Sequence, residues 1–454
     1  MYDELGNEYL DCINNVAHVG HANKRVAEAV GQQMQILNTN ARFLHDNLSL
    51  YAQRLVATMP EHLSVCYLVN SGSEANDLAM RLARAHTKRK DIVCVDGAYH
   101  GNLTSTMSIS PYKTDKLDHS SNWSGCNVKW AHIAPMPCAY RGEFNTGNCD
   151  NANNNQQVGQ LYAAATKQLI DDVQSKQGRQ VAAMFVESMI SCGGQFPLPS
   201  GYLRNLQKYL HANGSLMVCD EVQTGFGRSG KHMWAFQLDG EDIKPDIVTL
   251  GKPMGNGFPV AAVVTTPEIA KSFKEIGTEY FNTFGGNPVS CAAAMAVLDE
   301  IQERKLVCRA DNIGSYILTR LRKIQEDYSD IVGDVRGFGF FIGIDIIEDK
   351  SSRSPAPAYA KYIVQRFRDE RILMSTEGKH GNVLKFKPPM VFTMDNAKRF
   401  LEILEKALAE LSANGLLASL EMMNLSHAKD SSTASSASST SSSSWLESSS
   451  EQDL

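Results

Sequence analysis

The residues able to do chemistry stand at the ends of short apolar runs. Asp246-Ile-Val-Thr-Leu-Gly-Lys252 is an aliphatic, β-branched stretch that stops at a lysine and then at the bend Pro253-Met-Gly-Asn-Gly257. It reads as a buried strand with an amine at its end. A lysine desolvated there could form a Schiff base with an aldehyde cofactor, the plainer alternative being a surface lysine after a strand. Ser215-Leu-Met-Val-Cys-Asp220 ends in an acid followed by Glu221-Val-Gln223, and Val181-Ala-Ala-Met-Phe-Val186 is followed by Glu187. A buried carboxylate needs a partner. A protonated pyridine nitrogen is a suitable one, because the ion pair keeps the ring an electron sink; solvated strand-end acids are the alternative. Asn70-Ser-Gly-Ser-Glu-Ala-Asn76 supplies small residues where a helix begins. Backbone N–H groups and the helix dipole there can hold a dianion, and the same donors can serve a simple N-cap. In Ala98-Tyr-His-Gly101, the ring of Tyr99 could stack on a flat cofactor or belong to the core.

These residues need a scaffold that brings strand ends together. Strands are expected over 64–69, 91–95, 128–133, 181–186, 215–220, before Lys252, and over 260–264, with helices over 73–84, 157–174 and 202–212 between them. Such alternation means βαβ crossovers and a largely parallel sheet covered by helices on both faces. Ligands lie at the carboxyl ends of such strands. A phosphate cradle, an aromatic, a carboxylate and a lysine at one sheet edge together describe a site for pyridoxal phosphate. Residues 40–290 form this large domain. A smaller α+β domain is expected over 291–412, joined by the N-terminal segment 1–39, in which residues 2–17 alternate like a hairpin. Residues 413–425 read as a linker, and 426–454 are Ser-rich and expected to be disordered.

Composition removes other functions. A hydrophobic content of 43%, a charged content of 21% and a net charge of −6 describe a globular protein without the basic face that nucleic acid requires. The ten cysteines form no C-x-x-C pair, which suits a reducing compartment and argues against a metal site. No apolar run reaches the ~18 residues of a membrane span, and the acidic start carries no targeting signal. A cytoplasmic or mitochondrial-matrix location is expected. Gly225-Phe-Gly-Arg-Ser-Gly230 spells a nucleotide fingerprint, but no capped helix follows it, and His232 stands where a P-loop needs a hydroxyl.

The motifs Ser71-Gly-Ser-Glu-Ala75, Ala98-Tyr-His-Gly101, Asp220-Glu-Val-Gln-Thr-Gly-Phe-Gly-Arg228, Asp246 to Gly257 and Thr283-Phe-Gly-Gly-Asn-Pro288 together resemble the class III aminotransferases, over about residues 2–412. The resemblance implies a fold-type I pyridoxal phosphate enzyme, with Lys252 as the Schiff-base lysine and Asp220 on the pyridine nitrogen. Gly72 and Ser73 would hold the phosphate, Tyr99 would stack on the ring and Gln223 would lie by the phenolic oxygen. Thr283 would reach the phosphate of a neighbouring subunit, implying a homodimer, with a dimer of dimers as a further possibility. Glu187 matches the family's glutamate near the substrate. The family's usual arginine before Pro-Pro is replaced in Asn382-Val-Leu-Lys-Phe-Lys-Pro-Pro389 by lysines, which are poor bidentate forks and good point charges for phosphate.

Asn38-Thr-Asn-Ala-Arg-Phe-Leu-His-Asp-Asn47, Val16-Ala-His-Val-Gly-His21 and Glu279-Tyr-Phe-Asn-Thr283 look like the branch of amino-alcohol phosphate phospho-lyases. That branch implies a small phosphorylated amine as substrate, phosphoethanolamine or phosphohydroxylysine, with Lys385, Lys387 or Arg42 on its phosphate. A transaminase that moves the amine to a keto acid is the alternative, since both reactions share their first steps. Relative to the resemblance the chain starts late, so a truncated, weakly active cofactor-binding form is a third expectation.

Overall fold

The structure is a computed structural model that describes residues 1–114, 128–145 and 154–435. Its centre is a seven-stranded sheet of β1 (Val65–Val69), β2 (Asp91–Val95), β3 (Ala131–Ala134), β4 (Val181–Glu187), β5 (Leu216–Asp220), β6 (Ile247–Leu250) and β7 (Ala261–Thr265), in the order β1-β7-β6-β5-β4-β2-β3. Strands β2 to β6 pair parallel, while β7 runs antiparallel to both β6 and β1. The bend after Lys252 returns the chain directly, and an antiparallel neighbour needs only such a bend. Strands β2, β4, β5 and β6 are wholly buried. Unbroken runs such as Val181-Ala-Ala-Met-Phe-Val are what a sheet covered on both faces demands.

The covering helices begin where the sequence places their caps. Gly72–Thr87 starts with a capping box, in which the Ser71 side chain accepts from the Glu74 amide and Glu74 reaches back to the cap backbone. Pro288–Glu303 starts after the Asn287 cap with proline in its first turn. Helices over Asn154–Gln177 and Tyr202–Ala212 fall where they were expected, the first longer by nearly a turn at each end. The expected Asn-rich surface loop at 145–155 lies mostly outside the described residues.

A second sheet follows. Strands β8 (Val332–Phe338), β9 (Phe341–Asp349), β10 (Ser375–Glu377) and β11 (Val383–Phe386) are antiparallel in the order β8-β9-β11-β10. Helices Leu306–Asp327, Pro357–Asp369 and Met394–Ser435 accompany it, Phe367 stacking on Phe400 at 5.3 Å. The N-terminal segment joins this part of the molecule. Leu10–Asp11 pairs parallel with Ile372–Leu373, and the Lys387 and Met390 amides donate to the Cys12 and His18 carbonyls. Strand β8 was not foreseen, because its two glycines and its charges obscure the alternation. The last helix also differs from expectation. It breaks at Gly415 (φ 69°) and resumes to Ser435, so backbone read as linker and tail start is helical. Leu, Ala, Met and Glu dominate 416–423 and favour helix, which then propagates cooperatively into the first serines.

Candidate active site

Three strand ends define the site. In the sheet register Glu187 stands opposite Asp220, and Asp220 opposite Thr249. Parallel strands in register place these side chains in one row at the carboxyl edge, and Lys252 follows two residues after β6. Asp220 is buried; its Oδ1 accepts from the Val222 amide at 3.0 Å, and its Oδ2 accepts from Asn76 Nδ2 at 2.8 Å and meets His100 Nδ1 at 2.8 Å. Thr249 in turn donates to Asn76 Oδ1 at 2.8 Å, so the carboxamide is oriented and the carboxylate is held. No lysine or arginine pairs with Asp220 among the described residues. The buried carboxylate can therefore take a cationic partner.

Glycines draw the loops together around Val222. A Cβ on Gly72 would come within 2.7 Å of Val222 Cγ1, and one on Gly251 within 3.1 Å of the same methyl and 3.4 Å of the Gly72 Cα. The first turn of the capped helix, the turn after Asp220 and the residue before Lys252 thus meet in one place. The first-turn amides of Gly72 and Ser73 have no acceptor among the described residues, as first-turn donors require a cap or a ligand. The Ser73 hydroxyl accepts from the Asn102 amide at 3.1 Å. The half-buried Lys252 ammonium has neither hydrogen bond nor ion pair among the described residues.

Across the site lies a connected polar chain. Glu187 accepts from the Tyr99 amide at 3.0 Å and from the Ser191 amide at 3.1 Å, and also from the Ser191 hydroxyl. Burial, followed by the nearby Asp220 charge among the influences that raise it, lifts the Glu187 carboxyl above the usual carboxylate range. Gln223 donates to Ser191 Oγ at 2.5 Å, and its Oε1 accepts from Lys387 Nζ at 2.9 Å and Asn15 Nδ2 at 3.3 Å. Lys387 is 1% exposed. Burial lowers its ammonium to about 8, opposed by Glu377 and reinforced by the charges of Lys385 and Lys252. Lys385 is engaged by Glu377 at 2.6 Å.

The structure thus gathers Lys252, Asp220, Gly72, Ser73, Tyr99, Glu187, Gln223 and Lys387, with Lys385 behind Glu377. Arg42 and Thr283 lie apart from them on an exposed surface, Arg42 stacking on the Phe281 ring at 4.4 Å. A bond from Asn70 Nδ2 to Asn282 Oδ1 of 2.7 Å ties that surface to the Ser71 cap. The Gly225–Gly230 segment forms buried turns followed by a short 3-10 helix, Ala235–Asp239, and no α-helix opens from it. Asn76, His100, Ser191 and Glu377 were not assigned roles from the sequence. The first two sit inside the quoted motifs, one helical turn and one residue from Gly72 and Tyr99; nothing local marks the other two.

A family model for class III aminotransferases matches residues 1–408. The chain belongs to this family. It is 47% identical over 404 residues to an alanine–glyoxylate aminotransferase 2-like protein of Drosophila melanogaster, covering 88% of this chain and 79% of that one. It is 42% identical over 412 residues to an ethanolamine-phosphate phospho-lyase homolog 1 of Caenorhabditis elegans, covering 90% and 86%. A solved Arthrobacter phospholyase in complex with phosphoethanolamine superposes with a TM-score of 0.81 at 39% identity, covering 90% of this chain and 92% of that one.

The chain is accordingly a pyridoxal-phosphate-dependent enzyme of fold type I, and its residues fit that cofactor. Among the described residues there are a lysine without a hydrogen bond or ion pair, a buried carboxylate that no lysine or arginine pairs with, and backbone donors at a helix start where Val222 leaves no room for a side chain on Gly72. Among the described residues no helix is long and apolar enough to cross a membrane.

Proposed function

We propose that this class III enzyme is a phospho-lyase that removes phosphate from a phosphorylated amino alcohol, phosphoethanolamine or 5-phosphohydroxylysine, and with water yields an aldehyde, ammonia and phosphate. The observation that carries the reading is Lys387, a buried ammonium in the electrostatic field of Lys252, on the segment where a carboxylate-gripping arginine would otherwise stand. A lysine there is a point charge suited to a phosphate dianion. The likeness to the phosphoethanolamine-bound phospholyase supports the same substrate class.

In this reading Gly72 and Ser73 would hold the cofactor phosphate, Tyr99 and Gln223 would line its ring, and Asp220 would be the partner of its ring nitrogen. Bound pyridoxal phosphate supplies an electron sink for the pair left when a C–H bond beside the amine breaks. Lys252, which has no hydrogen bond or ion pair among the described residues, would hold the cofactor and, as the neutral amine freed when the substrate's amine takes its place, would accept that proton. Lys387 holds the substrate phosphate, with Lys385 behind it, so the next carbon–oxygen bond breaks toward a neutralised leaving group. Glu187 closes the substrate side. Arg42, Phe281, Thr283 and Phe284 share an exposed surface, which supports a homodimer in which Thr283 reaches the neighbour's cofactor phosphate and Arg42 approaches its substrate.

A class III transaminase is the second reading, favoured by the name of the Drosophila relative. It would use Lys252 and Asp220 identically and differ in where the amine goes. Incubation of the purified holoenzyme with phosphoethanolamine and 5-phosphohydroxylysine, without a keto acid, should release inorganic phosphate and ammonia in equal amounts. Amino transfer to a keto acid with no phosphate released would defeat the lyase reading.

A further inference from the structure

Glu377 lies on the edge strand β10, and its carboxylate is 12% exposed. In the antiparallel register Glu377 faces Val383, which puts Lys385 diagonally across from it on the same face. Lys387 follows two residues later, where an extended chain points its side chain the same way. Glu377 Oε1 pairs with Lys385 at 2.6 Å and Oε2 stands 3.8 Å from Lys387. Gln195 Nε2 donates to the same Oε2 at 2.6 Å and to the Ser191 carbonyl at 2.8 Å. Gln195 is fully buried at φ 58°, a left-handed backbone that a side chain rarely adopts, so its orientation toward Glu377 is imposed by the surrounding fold. The Gly378 amide donates to the Cys192 carbonyl at 3.1 Å and fixes the strand end against the same loop.

We propose that Glu377 is a positioning residue for the reaction: it withholds Lys385 from the substrate and keeps Lys387 charged and aimed at the reacting site. The inference rests on the phospho-lyase reading. The charges and titratable groups around Lys387 are Glu377 from β10, Lys385 from β11, Cys192 after β4 and Lys252 after β6, with the neutral Gln223 after β5. Glu377 is the one carboxylate in that set. Without it the buried Lys387 ammonium would face the part-buried Lys385 ammonium with no carboxylate between them, and Lys387 would release its proton at lower pH.

The test is calorimetric titration of the holoenzyme with sulfate, a dianion of fixed charge, from pH 6.5 to 9.5. Wild-type affinity should fall through a midpoint of about 8. In Glu377→Gln the midpoint should move down by about one pH unit or more, the effect of removing an opposite charge at this range, and Glu377→Asp should restore part of it. Gln195→Met leaves every charge in place but releases Glu377, so it should move the midpoint the same way even where Glu377→Gln folds poorly. An unmoved midpoint in these variants, with or without a uniform loss of affinity, overturns the role of Glu377. Sulfate affinity unchanged by Lys387→Met would instead overturn the phosphate-binding reading on which the proposal stands.

Discussion

Lys387→Met should make the protein more stable while removing its phosphate contact. The ammonium is 1% exposed and is lowered from its ordinary 10.5 to about 8 by burial. At about 1.4 kcal/mol per pH unit, that distance amounts to about 3 kcal/mol. Below about pH 8 the folded and unfolded chains both carry the charge, and the cost of burying it is present in full. As the pH rises from about 8 to 10.5, the folded chain gives up the proton first; the unfolded chain then binds more protons, and wild-type stability rises relative to the variant. The substitution leaves its neighbours satisfied, since Gln223 Oε1 keeps Asn15 and Glu377 keeps Lys385 and Gln195. Methionine retains the apolar stem beside the Phe341 ring, which lies 5.5 Å from the present ammonium. The assay is urea unfolding of the cofactor-free protein at intervals between pH 7 and 10. The variant should lead by about 3 kcal/mol at pH 7, with the gap closing toward pH 10. A gap that does not change with pH would refute the reasoning, because only the titrating charge can make it close.

Asp220→Asn keeps the shape and the bond from the Val222 amide but removes the buried charge. Losing one side of a buried charge pair costs about 2–5 kcal/mol, so turnover should fall by about thirtyfold or more; a loss below about tenfold in a variant that still binds the cofactor would refute the pairing. Gly72→Ala should weaken cofactor affinity by about 5- to 150-fold, the equivalent of about 1–3 kcal/mol of overpacking, because its Cβ would meet Val222 Cγ1 at 2.7 Å. Adding Val222→Ala should restore much of that affinity, as read from the cofactor's visible absorbance.

The features legible in the sequence were those carried by contiguous residues. The Ser71 capping box, the strand ending at Asp220 and the bend after Lys252 each place their chemistry through local backbone geometry, and the alternation of apolar runs with helices implied that these ends share one sheet edge. The cofactor therefore followed from the chain alone, with Lys252 as the candidate to hold it. What held Asp220 did not: Asn76 and His100 come from 144 and 120 residues away, and only the packed sheet brings them to the carboxylate. Lys385 and Lys387 looked equivalent, two residues apart in one short segment. The tertiary structure separated them by seating Glu377 against the first and burying the second beside Gln223, while Gln195 reaches that carboxylate across 182 residues. Burial obliges a charge to find a partner, which a sequence can foretell; which distant group becomes that partner is set by how the two sheets pack.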